Sequence, residues 1–476
     1  MKFAQLIGGE WVEASDGGWW DLVDPGRGEV VDRVPFGGAE DARRAIDAAA
    51  EALYTWADTN PYERADILHR AADLLVERAD EYAVVTTEES GKPLAQSRAE
   101  WLSAPNYLRF AAEEAKRAGG RLIPARARGR RIDVTYRPVG VVGVITAWNF
   151  PVYNPNRATS SALAAGCTVV IRPSEYTPRS AMLYAAALVD AGVPPGVVNV
   201  INGRPLEMAD VMMADPRVRK VAFTGSVETG KSLLAKASQT VTRLSLELGG
   251  NAPVIVLDDV DPEEVAAGGV VAKNRNGGQV CIAPQRFYVH ASLAEEFTRA
   301  AAAANEKERL GHGLAPDTTV GPLINHDQLE RVTRIVDQTV DAGATVVTGG
   351  RREESPGFFY RPTVLTDVPP DAPACTEEIF GPVMPVIPFD DVDAAVEWAN
   401  STEHGLAAFV WTHRLEQAHR ISERLEYGLV GINDWYPVTP EAPFGGFKQS
   451  GIGRESGMEG LYEYLEVKTR YWGGIR

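Results

Sequence analysis

The spacing of apolar residues changes near residue 120. Between residues 39 and 118, apolar side chains recur every three or four positions, as in AEDARRAIDAAAEALYTWA, and this period predicts amphipathic helices. From about residue 139, short β-branched runs alternate with helix-like stretches. These runs are VGVVGVITAW, GCTVVIRP, GVVNVING and VRKVAFTG. Such alternation predicts an α/β fold in which crossover helices connect parallel strands.

A second α/β pattern follows residue 247. The runs NAPVIVLDD and RFYVHA are typical of strands, whereas SLAEEFTRAAAAANEKERL and DQLERVTRIVDQTVDAG have helical periodicity. Two further segments, 121–139 and 461–474, alternate like strands but have no neighbouring strand in the sequence to pair with. Because an unpaired strand edge has to be covered, we assign both segments to a bridging sheet and a subunit interface.

The bulk composition narrows the class of protein. A chain of 476 residues exceeds one ordinary hydrophobic core and predicts two or three domains. The net charge of -17, with a single dense arginine cluster at 125–131, argues against nucleic acid and anionic membranes as main partners. No run approaches the roughly 20 apolar residues of a membrane span, and the first residues lack the apolar core of a secretion signal. We therefore expect a cytoplasmic protein.

The cysteines and histidines limit the chemistry further. The chain has seven scattered histidines and three cysteines, which are Cys167, Cys281 and Cys375. Their spacing fits neither a disulfide framework nor a zinc site, so we predict a reducing compartment and no metal. Cys281 lies in NRNGGQVCIAPQR, where the preceding glycines could bring backbone N–H groups near a reacting atom. From these residues alone, Cys281 is either a nucleophile or a small apolar filler.

A phosphate-binding pattern is present as well. GSVETGKS at 225–232 follows the strand-like run KVAFTG and matches the loop of nucleotide triphosphatases, and VIVLDD supplies an apolar strand that ends at Asp258. A glycine turn before a helix serves the pyrophosphate of a dinucleotide equally well. The usual G-x-G-x-x-G of dinucleotide folds is absent. A triphosphatase, a dinucleotide site and a plain strand–helix turn therefore all remain open at this point.

Three more stretches carry polar residues at the ends of apolar runs. Asn149 in TAWNFPVYNPNR can donate to an oxyanion or stabilise a turn. Glu247 in LSLELGGNAP is a general base if burial raises its pKa, or a carboxylate that accepts from the following N–H groups. Glu175, shortly after Arg172, is an acid at a strand end, where such acids bind ribose hydroxyls.

Taken together, these stretches resemble the NAD(P)-dependent aldehyde dehydrogenase superfamily. WNFP, TGSVETGK, ELGGN, NGGQVC, EEIFGPV and PFGGFKQSGIGRE occur in that order over nearly the whole chain. The resemblance implies that the GSVETG turn lies beside a dinucleotide, which displaces the triphosphatase. It also implies an α/β architecture with a Rossmann-like parallel-sheet cofactor domain (1–118 and 141–246), an α/β catalytic domain (247–440) and a small β bridging or oligomerisation element (119–140 and 441–476).

The resemblance also implies roles for individual residues. Cys281 is expected to be the nucleophile, Glu247 the base for hydrolysis, and Asn149, with the Cys281 backbone N–H, the oxyanion donor. Glu378 is expected to hold the nicotinamide ribose, and Phe380 to lie beside the nicotinamide. The cofactor-binding residues are predicted to be Thr146, Trp148, Arg172, Ser174, Glu175, Gly225, Ser226, Leu248, Glu378 and Phe380.

The cofactor and the assembly follow from the same resemblance. Glu175 should accept from an unmodified ribose and repel a 2′-phosphate, which favours NAD, with NADP as the second option. Arg172 replaces the usual lysine, and Ala147 replaces a usual proline, so the fit to the family pattern is incomplete here. A homodimer or homotetramer is expected.

The expected substrate is an aldehyde with a distal carboxylate. Arg157 and Arg275 match positions where the succinate-semialdehyde branch of the family grips that carboxylate, and paired guanidinium groups suit it chemically. Succinic, glutaric and 2-oxoglutaric semialdehyde are the candidates. Where that branch has a loop hydroxyl, this chain has Val438, with Thr439 next to it. The substrate-binding residues are predicted to be Arg157, Arg275, Tyr153, Thr439 and Phe444.

Two alternatives in function are kept. Neutral aromatic or aliphatic aldehydes would suit a tunnel lined by Tyr153, Trp435 and Tyr436. A non-enzymatic binding protein built on the same fold would lack NADH production.

Overall fold

The computed structural model describes residues 3–474, and strands and helices alternate through most of it. The strands before residue 250 are β1 (Gln5–Ile7), β2 (Glu10–Val12), β3 (Trp19–Asp24), β4 (Glu29–Pro35), β5 (Arg121–Ile123), β6 (Arg130–Pro138), β7 (Val141–Ile145), β8 (Thr168–Arg172), β9 (Val198–Val200), β10 (Val218–Thr224) and β11 (Arg243–Glu247). The helices are α1 (Ala39–Asp58), α2 (Pro61–Glu77), α3 (Ala79–Ser90), α4 (Leu94–Ser103), α5 (Pro105–Ala115), α6 (Tyr153–Ala165), α7 (Pro178–Asp190), α8 (Pro205–Ala214) and α9 (Val227–Ala237).

The second half continues the alternation. Its strands are β12 (Ala252–Val256), β13 (Pro284–His290), β14 (Thr345–Thr348), β15 (Thr363–Thr366), β16 (Val383–Phe389), β17 (His404–Gly405), β18 (Ala407–Trp411), β19 (Leu429–Ile432), β20 (Phe447–Lys448), β21 (Gly451–Ile452) and β22 (Leu465–Gly473). Its helices are α10 (Pro262–Asn274), α11 (Ala291–Asn305), α12 (His326–Asp341), α13 (Pro373–Thr376), α14 (Val392–Asn400), α15 (Leu415–Arg424) and α16 (Gly457–Tyr462), and a 3-10 turn spans Arg275–Gly278.

The first large sheet has eight strands in the order β2-β1-β9-β8-β7-β10-β11-β21. Its five central strands, which are β9, β8, β7, β10 and β11, are parallel to one another. β1 pairs antiparallel with β9 on one side, and β21 pairs antiparallel with β11 on the other. All five residues of β7 are buried, as expected for a parallel strand covered on both faces. The α/β class predicted from the alternation is confirmed, and so is the Rossmann-like parallel sheet that the resemblance implied.

The second large sheet has seven strands in the order β14-β15-β16-β13-β12-β18-β19, and only β14 is antiparallel to its neighbour. A third sheet, β22-β6-β5, is antiparallel, and it pairs the two segments that lack neighbours in the sequence. The prediction that the segment from 441 onward belongs to one bridging element is not met by its strands. β20 pairs with β17, and β21 pairs with β11 in the first sheet, so only 465–473 joins the three-stranded sheet. The reason is that residues 451–452 form ladder hydrogen bonds with the strand that ends at Glu247.

No helix within residues 3–474 is both long and apolar enough to span a membrane.

Candidate active site

The first sheet gathers the predicted residues at one edge. Parallel strands place their carboxyl ends together, and ligands of such sheets bind there. Ile145 of β7 lies in register with Arg172 of β8 and Phe223 of β10, and Thr224 lies in register with Glu247. The residues that follow these strand ends are therefore neighbours in space, although they are far apart in the sequence.

A cavity of about 180 Å³ opens at this edge, and we call it the cofactor cavity. It brings together all three predicted catalytic residues and six of the predicted cofactor contacts. These are Asn149, Glu247 and Cys281, with Trp148, Gly225, Ser226, Leu248, Glu378 and Phe380. Four predicted contacts do not line this cavity and lie farther along the sheet edge, around the end of β8: Thr146, Arg172, Ser174 and Glu175.

A second cavity, of about 220 Å³, meets the first at Cys281, and we call it the substrate cavity. Arg157 lines both cavities. Four of the five predicted substrate residues line the substrate cavity: Arg157, Arg275, Tyr153 and Phe444. Thr439 does not line it, because its side chain is exposed and its hydroxyl donates to the Glu441 carboxylate, whereas Val438 faces the cavity.

The backbone conformation of the loop before Cys281 requires glycine at two positions. Asn276, Gly277 and Gly278 all have left-handed backbone angles, with φ of 51°, 62° and 78°. A Cβ atom on Gly278 would lie 2.1 Å from the Gly381 carbonyl oxygen. On the other side, a Cβ on Gly250 would lie 2.4 Å from the Cys281 carbonyl oxygen. The glycines therefore let three backbone segments converge around the cysteine.

The Cys281 thiol is partly buried where the two cavities meet. Burial raises the pKa of this thiol to about 12, and the nearby Arg157 opposes that rise. Cys167 and Cys375 are buried elsewhere in apolar clusters. Of the three cysteines, only Cys281 lines both cavities, a position that suits a nucleophile.

The Asn149 side chain is held in one orientation. Its carbonyl oxygen accepts a hydrogen bond from the Asn154 amide at 3.1 Å, and its own amide donates to the Gln279 carbonyl at 3.1 Å. Its backbone carbonyl accepts from the Asn276 amide at 2.9 Å. An amide nitrogen carries two N–H groups, so one remains to donate toward the cofactor cavity.

Glu247 is a buried carboxylate that has no hydrogen-bond partner within residues 3–474 for either oxygen. Burial raises the pKa of Glu247 well above its usual range, and the nearby Glu455 carboxylate raises it further, while Arg157 and Arg454 oppose this. A Cβ on Gly445 would lie 2.9 Å from Oε1 of Glu247. A carboxylate with a raised pKa is a stronger base than an ordinary carboxylate and is suited to accept a proton.

The phosphate-type turn lies at the start of α9. The Ser226 hydroxyl accepts from the Thr229 backbone N–H at 3.2 Å and so caps the helix. A helix start offers unpaired N–H groups and a partial positive charge to a phosphate. A Cβ on Gly230 would lie 2.8 Å from the Leu248 side chain, so α9 can approach the end of β11 closely.

Carboxylates and rings line the other side of the cofactor cavity. Glu378 accepts from the Gly250 N–H at 2.9 Å, and burial raises the pKa of its carboxyl group. Phe380 has a φ of 54°, a strained angle for a phenylalanine, and its ring meets Trp148 edge-on at 5.5 Å. At the end of β8, Arg172 donates to Glu175 at 2.8 Å and to the Gly203 carbonyl at 2.8 Å.

Comparison with known proteins identifies the family. The profile described as "Aldehyde dehydrogenase family" matches residues 11–470. The chain belongs to the aldehyde dehydrogenase family. The resemblance drawn from the motifs is thereby confirmed, as is the expectation of an NAD(P)-dependent oxidoreductase that acts on aldehydes.

Relatives of known name extend over the whole chain. A mitochondrial succinate-semialdehyde dehydrogenase of Oryza sativa subsp. japonica is 41% identical over 100% of this chain and 90% of its own length. A glutarate-semialdehyde dehydrogenase of Pseudomonas aeruginosa is 41% identical over 98% of this chain and 97% of its own length. The crystal structure of a succinate-semialdehyde dehydrogenase from Burkholderia pseudomallei has a TM-score of 0.97 at 40% identity, covering 99% of this chain and 98% of its own.

The triphosphatase alternative is wrong for this aldehyde dehydrogenase. Lys231, which would have to reach a triphosphate, is exposed on α9. Asp258 follows β12, which belongs to the second sheet, and it forms an ion pair with Arg414. In a nucleotide triphosphatase the glycine turn and this aspartate would serve the same nucleotide. Here the turn follows a strand of the first sheet and the aspartate follows a strand of the second.

Several residues that line the two cavities are not predicted from the sequence. Gln328 and Arg331 line the cofactor cavity from α12, and Arg331 donates to the Glu378 carbonyl at 2.7 Å. Their spacing of three on a helix was the available clue. Tyr107 lines the substrate cavity from α5, and Glu455 lies beside Arg157. Tyr107 stands in none of the quoted motifs, and Glu455 is the last residue of PFGGFKQSGIGRE, but nothing in that motif indicates that it pairs with Arg157.

Proposed function

We propose that this aldehyde dehydrogenase oxidises a semialdehyde with a distal carboxylate to the corresponding dicarboxylate, through a thioester on Cys281. The observation that carries the proposal is an unpaired cation in the substrate cavity. The guanidinium of Arg275 lies over the Phe150 ring, 5.1 Å from its centre. Within residues 3–474, Arg275 has no carboxylate at ion-pair distance, so a carboxylate on the substrate supplies its counter-charge.

Arg157 supports the same end of the substrate in a different way. Its Nε lies 3.1 Å from a Glu455 oxygen, and both side chains are buried. Its guanidinium also lies 4.1 Å from the centre of the Phe444 ring and donates to Asn154 at 3.3 Å. The positive charge of the Arg157 guanidinium is therefore partly neutralised by Glu455, whereas the guanidinium of Arg275 keeps its full charge. Together they give the substrate cavity one net positive charge, which matches a monoanion.

The reaction follows from the side chains that meet at Cys281. The Cys281 thiolate bonds to the aldehyde carbon, and the free N–H of Asn149 stabilises the negative charge that develops on the carbonyl oxygen. A dinucleotide held by the residues of the cofactor cavity would supply the acceptor for the hydride that leaves this carbon. Glu247 then takes a proton from a water molecule, the water attacks the thioester, and the acid is released.

The residues around the cofactor cavity fit a dinucleotide. The start of α9 at Ser226 suits the pyrophosphate, the Glu378 carboxylate suits a ribose, and the rings of Trp148 and Phe380 suit the nicotinamide. Glu175 at the end of β8 favours the unmodified ribose of NAD over a 2′-phosphate. Because Arg172 already pairs with one Glu175 oxygen, the discrimination is incomplete and NADP is also accepted.

The named relatives support the substrate class, since their names specify succinate and glutarate semialdehydes. The competing class is neutral aldehydes, and the aromatic lining of Tyr107, Phe150 and Phe444 favours it. Trp435, once expected in this lining, instead packs against Phe409, Trp411 and Phe287 in the core.

The test is aldehyde-dependent formation of reduced nicotinamide with succinic semialdehyde, butanal and benzaldehyde. We expect the highest kcat/KM with succinic semialdehyde and no turnover by Cys281→Ala. Mass spectrometry of quenched turnover should detect an acyl adduct on Cys281. A higher kcat/KM with butanal or benzaldehyde would exclude the semialdehyde, and turnover by Cys281→Ala would exclude the thioester route.

We also propose a cytoplasmic homo-oligomer, a dimer or tetramer. The three cysteines are all free thiols, as suits a reducing compartment. Within residues 3–474, β22 pairs with β6 along one edge and has no strand on its other edge, and most of its residues are exposed. An unpaired edge of nine residues invites a second copy. The division into cofactor, catalytic and bridging parts is proposed on the basis of the three main sheets, except that residues 451–452 join the first sheet instead of the bridging part.

A further inference from the structure

Two tyrosines from different helices line the inner part of the substrate cavity, and their hydroxyl groups differ. Tyr153, at the start of α6, shares a hydrogen bond with the Ser103 hydroxyl. Tyr107, on α5, has no hydrogen-bond partner within residues 3–474. The Tyr107 side chain is only 6% exposed, and a buried phenol ordinarily finds a partner.

The Tyr107 hydroxyl is not enclosed in protein. It is absent from the fully buried, unpartnered hydroxyls, which include those of Tyr184, Tyr360 and Tyr464. Its small exposed area therefore faces the substrate cavity that the residue lines. A ligand in that cavity can supply the missing partner.

The phenol lines the same cavity as both arginines. Burial raises the pKa of Tyr107 to about 12, and the charges of Arg157 and Arg275 both act against that rise. The Tyr107 ring meets the Tyr153 ring edge-on at 5.8 Å, and Tyr153 in turn contacts Phe150, over which Arg275 lies. At neutral pH the hydroxyl is protonated, so it can donate a hydrogen bond.

We infer that the Tyr107 hydroxyl is the third donor to the distal carboxylate, beside Arg157 and Arg275. A carboxylate offers about four acceptor positions, whereas Arg157 already donates a hydrogen bond to Asn154 and forms an ion pair with Glu455. Val438 lines the same cavity and has no hydroxyl to contribute. The inference rests on the proposed semialdehyde specificity and adds a specificity-determining residue to it.

The experiment compares Tyr107→Phe with the matched variant Tyr184→Phe, which removes a buried, unpartnered phenol hydroxyl that does not line the substrate cavity. For each full-length enzyme, kcat/KM is measured with succinic semialdehyde and with butanal, which has the same chain length without the carboxylate. The readout is the ratio of the two values, since a general packing defect lowers both. We expect Tyr107→Phe to lower this ratio about 10- to 100-fold, mainly through KM, as for loss of a hydrogen bond to a charged group. Tyr184→Phe should leave the ratio as in the wild type.

The remaining outcomes separate this inference from the proposed function. An unchanged ratio in Tyr107→Phe, or a ratio lowered equally by Tyr184→Phe, would overturn the role of Tyr107. If Arg275→Met lowers the ratio in the same experiment, the semialdehyde specificity still stands. If neither Arg275→Met nor Tyr107→Phe lowers it, the carboxylate site itself is refuted.

Discussion

The two arginines of the substrate cavity look equivalent in the sequence, but the structure predicts different consequences for their loss. Arg157→Met removes the counter-charge of Glu455, whose side chain is 3% exposed. Breaking a buried ion pair by removing one partner costs about 3–5 kcal/mol, because the remaining charge is uncompensated. Arg275→Met removes a cation that pairs with no carboxylate within residues 3–474, so it leaves no buried charge behind.

The expected magnitudes follow from this difference. Unfolding entropy of about 2.1 cal/mol/K per residue gives roughly 1 kcal/mol/K for cooperative unfolding of the whole chain, so Arg157→Met should lower Tm by about 3–5 °C. Arg275→Met should leave Tm within about 1 °C of the wild type. It should lower kcat/KM for succinic semialdehyde about 30- to 150-fold, through loss of a charge-assisted contact of about 2–3 kcal/mol.

The loss of stability in Arg157→Met should also depend on pH. Burial raises the pKa of Glu455, and Arg157 opposes that rise. A carboxyl group whose folded-state pKa is raised binds more protons in the folded state, so its penalty grows as pH rises through the folded pKa. The Tm difference from the wild type should therefore be smaller at about pH 5.5 than at about pH 8.

Differential scanning calorimetry and steady-state kinetics on the same preparations test this prediction. The control is Arg157→Met combined with Glu455→Met, which replaces the buried pair with apolar side chains and should recover most of the Tm. Equal Tm values for the two single variants, or no recovery in the double variant, would refute the assignment of Glu455 as the partner that Arg157 neutralises.

Three further predictions follow from single features of the structure. Because burial raises the pKa of Cys281 to about 12, alkylation of the cofactor-free enzyme by iodoacetamide should accelerate about tenfold per pH unit between about pH 7 and 9; a plateau within that range would contradict the buried thiol. Glu175→Gln should raise kcat/KM for NADP relative to NAD about tenfold, by removing the like charge near a 2′-phosphate, and an unchanged cofactor ratio would mean that Glu175 does not read the ribose. Val241 is 86% exposed with a φ of 56°, so Val241→Asn should stabilise the protein by about 1 kcal/mol in urea unfolding, whereas Val271→Asn, on an exposed helix position, should give no gain.

The sequence alone determined the parts of this protein that depend on local pattern. The period of apolar residues indicated the helices of residues 39–118 and the strands that begin at β7, because side-chain periodicity is a property of each element by itself. The glycines around Cys281 and the residues after each strand were also visible, since left-handed turns and close backbone approaches leave a local mark. Because the strands are parallel, the loops that follow their carboxyl ends had to lie at the same end of the sheet.

The tertiary structure decided which side chains meet across the chain. Glu455 neutralises Arg157, the Tyr107 hydroxyl is left without a partner, and Asp258 lies on the other sheet from the phosphate turn. None of these follows from spacing, because each depends on contacts between segments that are remote in the sequence. These contacts determine how much positive charge each arginine can offer to a substrate. The strength of the carboxylate site depends on which arginine is already paired, and only the folded chain brings the competing carboxylate to one arginine and not to the other.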